Sequence, residues 1–162
     1  MTHEEILEGL RQAFPEAIIE VPEDVKNFTI IISKEQLLEV AAHLRHKLGF
    51  DYLSCVTAVD YPEYFELVYC LGSLERGGEL MVLKVRLEDK ENPAISSLSS
   101  IWGGAWLQEC EVYDFFGIRF TGHPDLRRIF LWEGFPGHPL RKDFQPAWAI
   151  DTAELVAVKY AE

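Results

Sequence analysis

The sequence predicts an α+β domain: two helices packed on one face of a small, largely antiparallel sheet, with a C-terminal helix and a long irregular tail. Three observations carry this. Two segments in the first fifty residues place apolar side chains at helical spacing. Three β-rich segments between Tyr52 and Leu87 follow one another with only turns between them, which favours antiparallel pairing. Beyond Gly117, glycine and proline recur at Gly122, Pro124, Gly134, Pro136, Gly137, Pro139 and Pro146, too often for regular elements.

The elements follow in order. Thr2-His3-Glu4-Glu5 has capping-box spacing, and Ile6, Leu7, Leu10 and Phe14 continue a helix that Pro15 stops. Ile18–Val21 reads as a short strand that Pro22 ends or confines to an edge. Phe28–Ile32 is a β-branched strand. Ser33 and Gln36 suggest a second capping box before the stripe Leu37, Leu38, Val40, Ala41, Leu44, Leu48, which Gly49 closes.

The three strands are Tyr52–Tyr61, Tyr64–Gly72 and Glu79–Leu87, with a hairpin at Pro62-Glu63 and a turn at Glu75–Gly78. In the first, Leu53, Cys55, Thr57 and Val59 share one face at period two; in the last, Met81, Leu83, Val85 and Leu87 do. Ile95–Trp102 reads as a short helix broken by Gly103-Gly104, and Ala105–Phe116 as a helix ended by a C′ glycine, Gly117. The tail that follows is a meander clamped on the domain or a partner by Phe120, Phe130, Trp132, Phe135, Phe144 and Trp148. A length of 162 residues predicts one domain, with 1–92 as the sheet unit and 93–162 as motif helix and extended docking segment. The apolar Leu155, Val156 and Val158 near the end suggest further contact.

Composition narrows function. A formal charge of −12 disfavours a general nucleic-acid binder and a polybasic membrane anchor. No apolar run approaches the ~20 residues that span a bilayer. The acidic, amphipathic N-terminus is not a secretory signal. Three scattered cysteines, Cys55, Cys70 and Cys110, fit a reducing compartment and fall short of an iron–sulfur ligand set. There is no phosphate loop, no Gly-x-Gly-x-x-Gly and no Gly-x-Ser-x-Gly elbow. His43 and His46 share a helix edge without a third metal ligand in view. Charge is unevenly placed: Arg119–Lys142 holds five bases against two acids and reads as a segment that docks on an acidic surface, the protein's own or a partner's.

The most informative run is Glu109-Cys110-Glu111-Val112-Tyr113-Asp114-Phe115-Phe116. Glu109, Glu111 and Asp114 lie in an aromatic helix, and Glu111 and Asp114 are three apart. Burial of such carboxylates requires partners, and Arg127 and Arg128 suit bidentate clamping. The sharper reading is an internal ion-pair lattice that fixes the tail's path; a solvated acidic face is the plainer one. His123 and His138 each sit in a Gly-His-Pro triplet, a rigid turn with an imidazole free to bond backbone or a carboxylate.

Glu109, Glu111, Asp114, Phe115, Phe116, His123, Arg127, Arg128, Ile129 and Phe130, with Gly137-His138-Pro139-Leu140-Arg141-Lys142-Asp143-Phe144, resemble the signature of the C-type subunit of respiratory complex I, the proton-pumping NADH:quinone oxidoreductase. Trp102, Ala105 and Trp106 are similar to that family's approach to the motif. One departure stands out: Cys110 occupies the place of the family's arginine, so Asp114 must find another cation, Arg127 or Arg128.

The resemblance implies a non-catalytic structural subunit of the peripheral arm, on the cytoplasmic side of the cell membrane or its matrix or stromal equivalent. It implies no cofactor in this chain, with FMN, iron–sulfur clusters and quinone held by partner subunits. Its partners would be the quinone-pocket (D type) and terminal-cluster (B type) subunits of a hetero-oligomer. The docking motif would comprise Glu109, Glu111, Asp114, His123, Arg127, Arg128, His138, Arg141, Lys142 and Asp143. Competing readings are the equivalent subunit of a membrane-bound hydrogenase or other-donor dehydrogenase, an adaptor without a redox partner, and a free-standing enzyme using His123 or His138 with Glu109 or Asp114 as acid/base partners.

Overall fold

A computed structural model describes residues 2–23 and 25–146. The helices are α1 (His3–Ala13), α2 (Leu37–His46) and α3 (Ala105–Phe116); the strands are β1 (Ile18–Glu20), β2 (Phe28–Ile32), β3 (Tyr52–Asp60), β4 (Phe65–Ser73), β5 (Glu79–Leu87), β6 (Ala94–Ser96) and β7 (Arg119–Thr121). Five strands form one sheet in the order β1-β2-β5-β4-β3, and β6 and β7 form a separate parallel pair. Every pairing in the large sheet is antiparallel except β2 with β5, so α2 and the β3–β4 hairpin lie within a parallel crossover.

Local chemistry explains the ends of the elements. Thr2 accepts from the Glu5 amide while the Glu5 carboxylate accepts from the Thr2 amide, the reciprocal cap expected for α1. β1 is an edge strand, as Pro22 requires. The second expected capping box does not form. Ser33 makes no side-chain cap; Lys34–Gln36 is a 3₁₀ turn leading into α2, and the Gln36 Oε1 is buried without a partner.

One sheet face carries Ile30 and Ile32 of β2, Met81, Leu83, Val85 and Leu87 of β5, and Phe65, Leu67, Tyr69 and Leu71 of β4, all buried in one core with Ile6 and Leu10 of α1 and Val40, Ala41 and Leu44 of α2. The expected stripe of α2 holds at Leu37, Val40, Ala41 and Leu44, but Leu38 is exposed and Leu48 lies past the helix end at His46, partly buried against the core. On β3 the expected face is wrong beyond its first residue. A bulge between Leu53 and Cys55 shifts the register, so Leu53 is buried but the core then takes Val56, Ala58 and Asp60, leaving Thr57 and Val59 outside. One extra residue reverses the side assigned to everything after it.

Two further elements depart from expectation. Ile95 belongs to β6, not to a helix, and pairs in parallel with Phe120 of β7. The irregular tail therefore begins with a strand, and Gly122 follows it at positive φ. Helix α3 runs along the free side of β3, where Gln108 Oε1 accepts from the Val56 amide at 2.6 Å and Trp102 Nε1 donates to the Phe50 carbonyl at 3.0 Å. The edge strand is thereby covered and α3 is fixed at the sheet's rim. Trp148, Leu155, Val156 and Val158, and the end of the segment 93–162, lie outside the described residues.

The bulge gives a direct test. Val56→Ala should destabilise the chain by about 1–3 kcal/mol, whereas Thr57→Ala should stay within about 0.5 kcal/mol, measured by urea unfolding. Equal effects would mean that the register change is absent.

Candidate functional site

The site is built at the C-terminal end of α3, where a helix leaves its last carbonyls without intrahelical donors. Asp114, close to that end, is fully buried. Its Oδ2 accepts from three successive amides, Ile129, Phe130 and Leu131, at 3.0, 2.8 and 3.0 Å. Its Oδ1 accepts from Arg128 Nη1 at 3.0 Å. Consecutive amides converging on one anion make a backbone nest, and a carboxylate with four donors offsets its loss of water. Burial pushes the Asp114 carboxyl up, but the Leu131 and Phe130 amides, Arg128 and the Ile129 amide together hold it below its ordinary value.

The tail then satisfies the helix end. Arg128 Nη1 also donates to the Asp114 carbonyl, and its Nη2 donates to the carbonyls of Phe135 and Gly137. His138 Nδ1 donates to the Asp114 carbonyl at 3.0 Å, the Leu140 amide to Phe115, and Arg141 Nε to Phe116 at 2.6 Å. Cations at this pole also suit the negative end of the helix dipole. The loop passes so closely that a Cβ on Gly117, which has φ +74°, would lie 2.5 Å from His138 Nε2. Burial, opposed by the hydrogen bond to Asp114, with Arg128 and Arg141 nearby, keeps the His138 imidazole below its ordinary pKa.

Farther along the tail, the Lys142 amide donates to Asp60 Oδ2 at 2.9 Å, while Lys90 Nζ donates to Oδ1. Burial raises the Asp60 carboxyl, but Lys90 and the Lys142 amide lower it further than burial lifts it. Asp60 ends β3 on its core face, and the period-two reading missed it because the bulge is invisible in the pattern.

Glu109 forms a second, different centre. It is fully buried and accepts from Ser97 Oγ at 2.5 Å and the Leu98 amide at 2.7 Å. Neither donor carries a charge. His123 Nε2 lies 3.9 Å away, but its proton goes to the Trp106 carbonyl at 2.9 Å, and its Nδ1 accepts from the Asp125 amide at 3.1 Å. Two backbone partners thus fix the His123 tautomer. Burial, only partly offset by Ser97 and Leu98, raises the Glu109 pKa to about 7.

The remaining expected positions divide. Arg128 is the partner of Asp114; Arg127 is exposed and pairs with Asp125 at 2.9 Å. Glu111 is exposed and does not share the buried side of α3 with Asp114. The Lys142 and Asp143 side chains are also exposed. Cys110 is buried, with Sγ donating to the Asp125 carbonyl at 3.5 Å. Of the basic segment, Arg128 and Arg141 are engaged inside this chain, and Arg119, Arg127 and Lys142 face solvent. Both Gly-His-Pro imidazoles bond backbone carbonyls, as the triplets suggest.

Three large apolar side chains are exposed beside these charges. Phe130 is 63% exposed, Trp132 62% and Leu140 53%, with Phe130 stacked on Phe115 and Trp132 edge-on to the buried Phe135. Among the described residues, no group of three or more His, Cys, Asp or Glu side chains is placed to hold a metal ion, and no helix is long and apolar enough to cross a membrane.

Fold and site define a small α+β domain whose C-terminal meander is anchored on a buried helix carboxylate. Residues 30–148 match the family described as the respiratory-chain NADH dehydrogenase 30 kDa subunit, and the chain belongs to that family. It is 43% identical over 141 residues to the C-type subunit of NADH-quinone oxidoreductase from Moorella thermoacetica, covering 86% of this chain and 93% of that one. It is 37% identical to the C/D-type subunit of NADH-quinone oxidoreductase from Phocaeicola vulgatus, over 81% of this chain and 27% of that protein. Among solved structures, a chain of the membrane-bound sulfane sulfur reductase, an archaeal respiratory membrane complex, superposes with a TM-score of 0.74 at 25% identity, covering 98% of this chain and 91% of its own.

The two buried carboxylates can be told apart by experiment. Asp114→Ala strands three amides and Arg128, and should cost about 3–5 kcal/mol and open residues 129–141 to limited proteolysis before global unfolding. The Glu109 carboxyl has a folded pKa above its unfolded one, so its cost is absent below about pH 4.5, grows as pH rises to about 7, and there reaches roughly 3 kcal/mol. Glu109→Gln should therefore match the parent chain at pH 5 and exceed it in urea midpoint at pH 8. Asp114 works in the opposite sense, its contribution being lost as pH falls below the ordinary carboxylate range.

Proposed function

We propose that this chain is a non-catalytic bracing subunit in the peripheral arm of a complex I-type NADH:quinone oxidoreductase. In this reading it holds the quinone-pocket (D type) and terminal-cluster (B type) subunits in place while electrons pass from NADH to quinone, coupled to proton translocation. FMN, iron–sulfur clusters and quinone would reside in those partners, and the arm would lie on the cytoplasmic side of the membrane or its organellar equivalent.

One observation carries the reading beyond family membership. Most of the groups that acid/base chemistry would require are engaged by this chain's own backbone: His123 by Trp106 and Asp125, His138 and Arg128 by the end of α3, and Asp114 by the 129–131 amides, while Glu109 is held by the Ser97 hydroxyl and the Leu98 amide. Beside the exposed charges of Arg127, Lys142 and Asp143, the tail presents three large apolar side chains to solvent: Phe130, Trp132 and Leu140. Exposed aromatics held against buried or half-buried neighbours suit the role of interface anchors. The C/D-type relative supports the choice of a D-type neighbour, because C and D are joined there in one polypeptide. The sulfane sulfur reductase likeness favours a second reading, the equivalent position in a complex with another donor or acceptor. The clamp and its surface would serve either.

Phe130→Asp with Trp132→Asp should leave the isolated domain's unfolding midpoint nearly unchanged, because both side chains are largely exposed. The same variant should lose co-purification of the D-type and B-type subunits, since each anchor contributes about 2 kcal/mol or more, roughly 30-fold in affinity. Undiminished assembly would refute the docking surface, and the identity of the captured redox subunits separates the two host complexes.

A further inference from the structure

The sheet face turned away from the helices holds a pair of thiols with no role in the clamp. Cys55 of β3 and Cys70 of β4 are direct cross-strand partners in an antiparallel ladder. Both are free and half-buried. Residues opposed in this way have Cα atoms about 4.5–5.5 Å apart and Cβ atoms about 4.5–5.5 Å apart. A disulfide spans Cα separations of about 4.4–6.8 Å and Cβ separations of about 3.5–4.5 Å. The pair is therefore within about an ångström of bridging. β3 is the terminal strand of the sheet, laddered to a strand on one side only, and the bulge between Leu53 and Cys55 adjoins the pair, so the adjustment can be taken up where the register is already irregular.

We propose that Cys55 and Cys70 are a redox-active dithiol that closes to a cross-strand disulfide by exchange with a low-molecular-weight disulfide. The Cys55 thiolate attacks one sulfur of the small disulfide, whose S–S bond breaks and releases one thiolate, which takes up a proton. The Cys70 thiol then loses its proton and attacks Cys55 Sγ, expelling the second small thiolate. The chain gives up two protons and two electrons, and the small disulfide is reduced to two thiols. Burial and the neighbouring Cys55 push the Cys70 thiol up, which keeps it protonated and disfavours it as the first attacker. Cys110 is excluded as a partner by its place on α3, buried against His123 and Asp125. Closure staples the β3–β4 hairpin, against whose free side α3 and its clamp are seated.

The test uses the full chain equilibrated with mixtures of reduced and oxidised glutathione, then acid-quenched, alkylated after unfolding, and mapped by mass spectrometry. The expected product is lighter by two hydrogens, contains linked Cys55 and Cys70 peptides, carries alkyl label on Cys110 alone, and melts at a higher temperature than the reduced chain. Cys55→Ser and Cys70→Ser should each stop at a free thiol or a single glutathione adduct. Stable adducts on both cysteines, a link between two copies, or two free thiols in excess oxidised glutathione would each overturn the proposal, and all three are read on the unsubstituted chain. These outcomes are independent of whether the tail docks as argued above.

Discussion

A single carboxylate organises the C-terminal third of the described chain. Asp114 lies near the negative pole of α3 and out of reach of water, an arrangement that is unfavourable on both counts. It is tolerated because residues 128–131 bring one guanidinium and three amides to it together. The dependence is mutual. A stretch rich in glycine and proline has no ladder or helix to occupy its amides, and the carboxylate supplies an acceptor for three of them at once. The same meander returns Arg128, His138, Leu140 and Arg141 to the carbonyls that α3 cannot satisfy itself. Helix end and meander thus complete each other's hydrogen bonds, which is why a segment without regular structure follows a defined path.

This mutual satisfaction decides what remains for the surface. Arg128 and Arg141, which in the bare sequence could grip an acidic surface of this chain or of a partner, have their donors turned inward. Rigidity gained inside is what gives Phe130, Trp132 and Leu140 a fixed place outside, since a docking surface on an unanchored loop would lose contact energy to the cost of ordering itself. Glu109 does not follow the same logic. It has two neutral donors and no hydrogen-bonded cation, so burial outweighs solvation by hydrogen bonds and its proton is held near neutrality. Two carboxylates five residues apart on one helix are therefore driven in opposite directions by what faces them.

Legibility in the sequence followed the range of the interactions. The Thr2 cap, the β3–β4 and β4–β5 connections, the bounds of α3 and its glycine terminator all rest on contacts within a few residues, and each could be read directly. Non-local facts could not. The parallel pairing of β2 with β5 is set by how the sheet closes over α2, and Ile95 became a strand because Phe120 was available beside it. The bulge in β3 cannot be seen in an unbroken run of strand-forming residues, and it hid both the core face of Val56 and Ala58 and the role of Asp60. At the site, residue types were readable but partners were not: Arg127 and Arg128 are adjacent, and only the turn of the backbone that aims three amides at Asp114 decides which guanidinium accompanies them.

The same geometry accounts for the cysteine at position 110. A cation four residues before Asp114 is useful if that carboxylate is short of partners. Here Asp114 has its four donors from the far side of the helix end, all within residues 128–131, and leaves no charge for position 110 to neutralise. Position 110 instead packs against the turn that carries His123, with Sγ reaching the Asp125 carbonyl. A small, weakly polar side chain fits a buried position between an imidazole already committed to backbone and a carbonyl with a spare lone pair. Cys110 therefore belongs to the packing of the first Gly-His-Pro turn, and the anchoring of the meander rests on the nest around Asp114.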